Sequence, residues 1–357
     1  MSSEMVDLDD LEVLDVDRSG MVQLLLDFPE QMQAGERLGQ SAELPMAANA
    51  RAIVVAGLGG SAIGGDLLRS YLSQDCRVPI CVNRHYILPA FVGPETLVCV
   101  ISYSGNTEET LSAFAEARSR GAKVLAITGG GQLAEMATQA RVPLITVPGG
   151  MPPRATLGYL FTPLLVVLTR LGLVPDQHEA IAETVELLRE LAAQYRPGVE
   201  SFRNPPKELA RRLYGRWPAV YGVQDFSDVV AYRWRTQFNE NSKVLAAHHV
   251  FPELNHNEVV GWSGSHSLFN DVWVVMLRDH QEMDRIAQRI EITKSLLQEK
   301  AAGITEVWAQ GRSRLARTFS LLYMGDFTSY YLALLYGVDP SPVRVIDLLK
   351  ERLATTA

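Results

Sequence analysis

The sequence predicts an α/β protein that uses one architecture twice: a mostly parallel sheet with helices on both faces. Three observations carry that expectation. Short, continuously apolar, β-branched runs alternate with helical patterns, as strands buried on both faces do. The alternation runs through residues 52–147, gives way to a long amphipathic stretch, and starts again at 219. With 357 residues, 47% of them hydrophobic, the chain can bury two such cores.

Taken in order, the first 20 residues (MSSEMVDLDDLEVLDVD and on) read as a poorly ordered acidic arm, and 19–39 as helix interrupted near Pro29. Strands are expected at 52–56, 78–82, 96–101, 123–127 and 143–147, with helices near 61–73, 107–119 and 131–139. A long apolar helix over 155–171 closes this half. DQHEAIAETVELLRELAAQYR then forms an amphipathic helix that bridges to the second half. There, strands are expected at 219–223, 272–277 and 304–309, and helices at 225–238, 283–300, 313–336 and 343–354. The expected organisation is an arm and first helix (1–34), a first domain (35–175), a bridge (176–206) and a second domain with a C-terminal helix (207–357). No sequence repeat relates the halves.

A formal charge of -8 argues against unspecific nucleic-acid binding, though a local pocket can still be basic. Cys76, Cys81 and Cys99 lack CxxC spacing and read as small core residues in a reducing compartment. The acidic start has no signal-peptide regions. The best apolar run, 164–174, carries Arg170 and falls short of the roughly 18 residues a span needs. A soluble, cytoplasmic protein without membrane partners is expected.

Three turns carry chemistry. The first strand runs into GLGGSAIGG, where Gly57, Gly59 and Ala62 fit GxGxx(G/A). A dinucleotide site would want an acid after the next strand. Asn83 and Arg84 stand there instead, which weakens NAD and leaves NADP only through Arg84. Glycines here also serve tight packing alone. What the turn does offer is backbone N–H groups and the Ser61 hydroxyl at a helix N-terminus, an anion site. The third strand enters SYSGNTEET, with Ser102, Ser104 and Thr107. Asn106 and Glu109 make a capping box, but a cap does not explain three hydroxyls around one glycine. A phosphate monoester suits them, and loops at the carboxyl ends of neighbouring strands converge. Third, Pro152 and Pro153 stiffen the chain before Arg154, which can stabilise a developing anion or simply lie on the surface.

The densest ionisable stretch is 238–262, FNENSKVLAAHHVFPELNHNEVVGW, with Glu240, His248, His249, Glu253, His256 and Glu258. A Glu base and a His acid are the commonest pair for moving protons near neutral pH. By itself this stretch could equally be a solvated loop.

GLGGSAIGGD, ISYSGNTEET, PPRATLGY, RWRTQFNENSK and FPELNHNEVVGW, in this order, resemble the bifunctional phosphoglucose/phosphomannose isomerases, from about residue 35 to the C-terminus. The last two motifs are specific to those isomerases; ISYSGNTEET alone would mark only a sugar-phosphate-binding SIS domain. The resemblance implies two SIS-type three-layer αβα domains, each with a mostly parallel, flavodoxin-like sheet. It implies interconversion of glucose 6-phosphate and mannose 6-phosphate with fructose 6-phosphate through a cis-enediol, without metal or cofactor. By position, Gly60, Ser61, Ser102, Ser104 and Thr107 would hold the phosphate, and Arg154 would stabilise the enediolate. Glu240 would move the proton between C1 and C2. His256, supplied by the other subunit of a homodimer, would assist ring opening, and Lys350 would share the acid–base work.

Three alternatives compete. Glu253 and His256 make ExxH, but the second copy that a di-iron bundle needs is missing, as is HExxH, so no metal is expected. A non-catalytic SIS-type sugar-phosphate sensor would need neither Glu240 nor His256. An amidotransferase-type isomerase would carry a glutaminase region with an N-terminal cysteine. His248 and His249 line the site or sit on the surface, and Trp217, Tyr221, Tyr232, Trp234 and Trp262 read as core. Arg233 and Arg235 face either the site or a dimer partner.

Overall fold

The computed structural model describes residues 6–264 and 267–355. Ahead of the first sheet lie α1 (Met21–Leu26) and α2 (Phe28–Ser41). They break at Asp27, which places Pro29 in the first turn of α2, where its missing N–H costs no helical bond. Residues 6–20 are not a loose arm. Leu8 and Val13 are buried. The Asp9 carboxylate accepts from Nζ of the fully buried Lys207 at 3.0 Å and from the Ser201 N–H at 2.9 Å. Asp17 accepts from the N–H groups of Met21 (2.8 Å) and Val22 (2.9 Å) at the start of α1. Composition gave no sign of this, because what docks the segment is the individual partners of Asp9 and Asp17 and not its overall charge.

The first sheet holds β1 (Ala52–Ala56), β2 (Ile80–Asn83), β3 (Thr96–Ser102), β4 (Lys123–Thr128) and β5 (Leu144–Thr146), all parallel, in the order β2-β1-β3-β4-β5. Between and after them come α3 (Gly60–Tyr71), α4 (Glu108–Ser119), α5 (Gly131–Gln139) and α6 (Leu157–Arg170). Alternate strand residues feed opposite faces. Ile53, Val55, Cys99 and Ile101 pack with α3 and α6, while Val54, Val98 and Val100 pack with α4 and α5. Cys99 is one of these core residues, its thiol pushed up to about 12 by burial. The chain order reverses between β1 and β3, so their carboxyl ends open the crevice where such sheets bind ligands.

After α7 (His178–Tyr195) and α8 (Pro205–Leu213), the second sheet holds β6 (Trp217–Val223), β7 (Ala247–Phe251), β8 (Val272–Arg278) and β9 (Gly303–Trp308). It is also parallel, ordered β7-β6-β8-β9, so it repeats the order of the first four strands. Strand β7 was not expected. Its residues, AHHVF, are half-buried at a sheet edge and carry two histidines, which hides the apolar signal. The helices of this half are α9 (Asp228–Gln237), α10 (Glu258–Gly261), α11 (Asp284–Leu297), α12 (Arg314–Leu335) and α13 (Arg344–Thr355). Every residue of α12 from Leu315 to Leu335 is buried. Its ring of Phe319, Tyr323 and Phe327 packs with Phe28, Phe161 and Tyr195, so one core runs through both halves. No helix among the described residues is long and apolar enough to cross a membrane.

Candidate active site

The two hydroxyl loops meet at the carboxyl ends of β1 and β3. Ser61, buried in the first turn of α3, accepts at Oγ from the Tyr103 N–H at 3.2 Å and so ties one loop to the other. Ser102 donates to Thr107 Oγ1 (3.0 Å) and accepts from the Gly105 N–H (3.1 Å). Ser104 is exposed and accepts from the Asn106 N–H at 3.3 Å. Gly105 has φ +71°, and a Cβ there would stand 1.8 Å from the Gly130 carbonyl oxygen, so only glycine fits. The capping box does not form. Thr107 is the N-cap residue of α4 with no side-chain cap bond, and Asn106 Oδ1 instead accepts from the Gln132 N–H at 3.1 Å, joining this loop to α5. Ser61, Ser102, Ser104 and Thr107 are therefore gathered at two helix N-termini, an arrangement suited to a phosphate group. Arg84 is held by Asp66 of α3 in an ion pair, so the cation an NADP reading relied on is already engaged.

Gly60 connects this region to Arg154. A Cβ on Gly60 would lie 2.8 Å from the Pro153 carbonyl and 3.0 Å from the Arg154 nitrogen, so the glycine lets the two segments touch. Arg154, 5% exposed, follows Pro152 and Pro153 in a short 3-10 turn. Its guanidinium reaches into the second half. Nε donates to Asn241 Oδ1 at 2.6 Å, one terminal nitrogen donates to the carbonyls of Pro340 (2.7 Å) and Ser341 (2.8 Å), and the other lies 3.4 Å from Glu240 Oε2. Burial pulls the Arg154 pKa down, Glu240 opposes this and Arg233 adds to it; a guanidinium stays charged regardless.

Glu240 sits in a single π-helical turn, Phe238–Ser242, that continues α9 and ends at Lys243 with φ 57°. Such turns recur at functional sites because they re-aim side chains within a continuing helix. Because α9 crosses back between the parallel strands β6 and β7, the turn lies at the amino ends of the second sheet and faces the first domain. Glu240 lines a groove of about 630 Å³, with Lys243, Asp339 and Arg344 as its other charged groups and Leu245 and Ile346 among the apolar ones. That volume lies in the range of small-molecule sites, and the lining is largely apolar. Lys243 donates to the carbonyls of Glu240 (2.6 Å) and Pro340 (3.2 Å); burial draws its pKa down, as does Arg154.

The structure does not bring His256 or Lys350 to this pair. His256 is exposed on a 3-10 turn after β7, and Lys350 is exposed on α13, one turn past the groove-lining Ile346. Among the described residues neither bonds to Arg154 or Glu240. His248 packs on Tyr232 (5.2 Å between ring centres), and His249 lies 3.4 Å from Glu258. Among the described residues no three His, Cys, Asp or Glu side chains are grouped to hold a metal ion. Sequence reasoning missed Asn241, which carries the closest side-chain contact to Arg154, and Asp326, which holds Arg233. A signal for the second existed: Asp326 is the only acid in α12, and a buried acid in such a helix requires a partner.

Residues 46–149 match the SIS domain family, and residues 202–353 match the bacterial phospho-glucose isomerase C-terminal SIS domain family. The chain is 45% identical over 335 residues to the bifunctional phosphoglucose/phosphomannose isomerase of Caldicellulosiruptor bescii, covering 94% of this chain and 99% of that one. It is 40% identical over 304 residues to the protein of the same name from Aquifex aeolicus, covering 85% and 90%. Among solved structures, a glucose-6-phosphate isomerase like protein from Thermus thermophilus shares the fold, with a TM-score of 0.64 at 24% identity over 95% of this chain and 99% of that one.

Proposed function

The chain belongs to the family of bifunctional phosphoglucose/phosphomannose isomerases and is an aldose–ketose isomerase; from that premise we propose that it interconverts glucose 6-phosphate and mannose 6-phosphate with fructose 6-phosphate through a cis-enediol, using its own side chains for every proton transfer. The observation that carries this reading is the Glu240 carboxylate 3.4 Å from a buried guanidinium whose backbone abuts the Gly60 turn. Gly60, Ser61, Ser102, Ser104 and Thr107 take the phosphate. Glu240 removes the proton from C2 of the open-chain aldose, and the C–H electrons form the C1–C2 double bond. The oxyanion that develops on O1 is stabilised by Arg154. The O2 hydroxyl proton passes to O1, and return of the carbon-bound proton from Glu240 to C1, as the O2 electrons form the C2 carbonyl, gives the ketose with a hydroxyl at C1. Glucose and mannose differ only at C2 and share this enediol, so returning the proton there to either face gives either aldose.

His256 opens the ring from a second subunit, and Lys350 shares the acid–base work. Two observations support a homodimer: His256 is exposed and, among the described residues, forms no bond with Glu240 or Arg154 of its own chain, and α13 exposes Val345 (82%) and Leu353 (64%). On this reading the first domain, 35–175, brings the phosphate loops and the second, 207–357, the base, across the bridge at 176–206. The enzyme works in the cytoplasm.

Fructose 6-phosphate formation from each aldose, with EDTA present, tests the reaction. Turnover of both supports it; glucose 6-phosphate alone would remove the dual specificity, and binding without turnover would favour a sensor. Glu240→Gln should keep binding and lower kcat by about 10²–10⁴-fold. Mixing Glu240→Gln with His256→Ala tests the shared site. Random exchange makes half the dimers mixed, each with one intact site, so activity should return to about a quarter of wild type. No recovery from proven mixed dimers would place His256 outside the partner's site.

A further inference from the structure

Arg154 is held at both ends by groups that converge on one turn of α12. At the backbone end, its carbonyl accepts from Arg233 at 2.9 Å. Asp326 fixes Arg233 by two bonds of 3.0 and 2.7 Å and also accepts from Gln237 at 3.0 Å. At the side-chain end, Arg154 Nε donates to Asn241 Oδ1, and Asn241 Nδ2 donates to Ser329 Oγ at 3.0 Å. Ser329 Oγ donates to the Asp326 carbonyl at 2.7 Å, and its own carbonyl accepts from Ser242 Oγ at 2.6 Å. Arg233, Gln237, Asn241, Ser242, Asp326 and Ser329 are all buried.

The order of donors has a consequence. Because the Ser329 hydroxyl proton is given to the Asp326 carbonyl, its oxygen is left to accept, and Asn241 must present its N–H₂ to it. That turns the Asn241 carbonyl toward the guanidinium. Reversing the amide would set N–H against N–H. A buried ion pair such as Arg233–Asp326 contributes little net stability compared with apolar residues of similar size. Its place here is better explained by geometry.

Resting on the isomerase reading above, we propose that Asp326 and Ser329 are positioning residues that aim Arg154 at the Glu240 carboxylate and at the enediolate formed beside it. They touch no substrate. They act through Arg233 and Asn241, at the two ends of one side chain, and a misplacement of about 1 Å at a reacting centre can lower a rate by roughly 10²-fold.

The test uses the full chain, with glucose 6-phosphate as substrate and thermal melting alongside. The double variant Arg233→Met/Asp326→Leu replaces the ion pair by apolar residues. Positioning predicts a melting temperature close to wild type, kcat lowered by roughly 10–100-fold and KM within about twofold. A merely structural pair predicts that activity returns with stability, and a stable double variant with wild-type kcat overturns the proposal. Should that variant fail to fold, Ser329→Ala decides, since it removes one hydroxyl and keeps the Ser242 bond. A kcat lowered by about tenfold at unchanged KM supports the proposal, and wild-type kcat overturns it. Glu240→Gln, run in parallel, separates the two ideas. If it retains turnover, the isomerase assignment of the base fails; if it is inactive while both other variants are wild-type, only the positioning proposal fails.

Discussion

Arg154 uses nearly all its donors. Asn241, Glu240 and the carbonyls of Pro340 and Ser341 surround one guanidinium. The planar fork can serve separate acceptors at fixed angles, whereas a lysine ammonium is a single point on a flexible stem. Arg154→Lys should therefore keep the charge and still lose function, with kcat down by about 10²–10³-fold and substrate binding little changed. Steady-state kinetics alongside a binding isotherm checks this. A kcat within a few-fold of wild type would mean that charge alone matters and the fork does not.

For the elements, the informative joint is between α3 and the Pro153–Arg154 turn. A methyl on Gly60 meets backbone at 2.8 Å, which cannot swing away as a side chain can. Gly60→Ala should cost about 2 kcal/mol of stability and lower kcat as well, because the displaced segment carries Arg154. Melting and turnover should fall together. Strand β7 gives a different expectation. His248 is pushed down to about 4, first by burial and then by Arg235 and His249. Its native pKa lies below the unfolded value of 6.5, so in acid the unfolded chain takes the proton first. This share of stability is complete above 6.5 and is lost as pH falls toward 4. His248→Gln should make the urea midpoint less sensitive to pH between about 7 and about 4.5. An unchanged slope would show that His248 titrates normally.

Across the whole molecule, a single core links both sheets, and polar ties reinforce it. Ser70 donates to Asp228 at 2.6 Å from α3 to α9, and Lys207 on α8 holds the N-terminal segment through Asp9 and the Leu8 carbonyl (2.8 Å). Lys207 is fully buried, and its ammonium pairs with the Asp9 carboxylate at 3.0 Å. Asp9→Ala should lower stability by about 2 kcal/mol without changing KM. Chemical denaturation compared with kinetics checks it, and a wild-type midpoint would mean that the carbonyls of Leu8 (2.8 Å) and Pro197 (2.7 Å) alone satisfy Lys207.

Much of this was open to reading from residues alone. Among the described residues nine strands form; eight overlap the expected apolar runs, because central strands such as β1, β3 and β8 write their burial into consecutive residues and the edge strands β2, β5 and β9 keep short apolar, β-branched runs. The meeting of the Ser102–Thr107 loop with the Ser61 turn was legible for a similar reason: each follows directly on an apolar strand, and the ends of neighbouring parallel strands converge. Strand β7 was not, since an edge strand half-exposed to solvent tolerates His248 and His249. Nor was the docked segment 6–20, or the Asn106 bond to α5 that displaced its capping box. Only the tertiary structure decided that Arg154 meets Glu240, 86 residues away in the chain, and that Asn241 and Asp326 hold the pair. Local pattern carries no information about partners so distant, because what brings them together is the packing of α9 and α12 against the first domain.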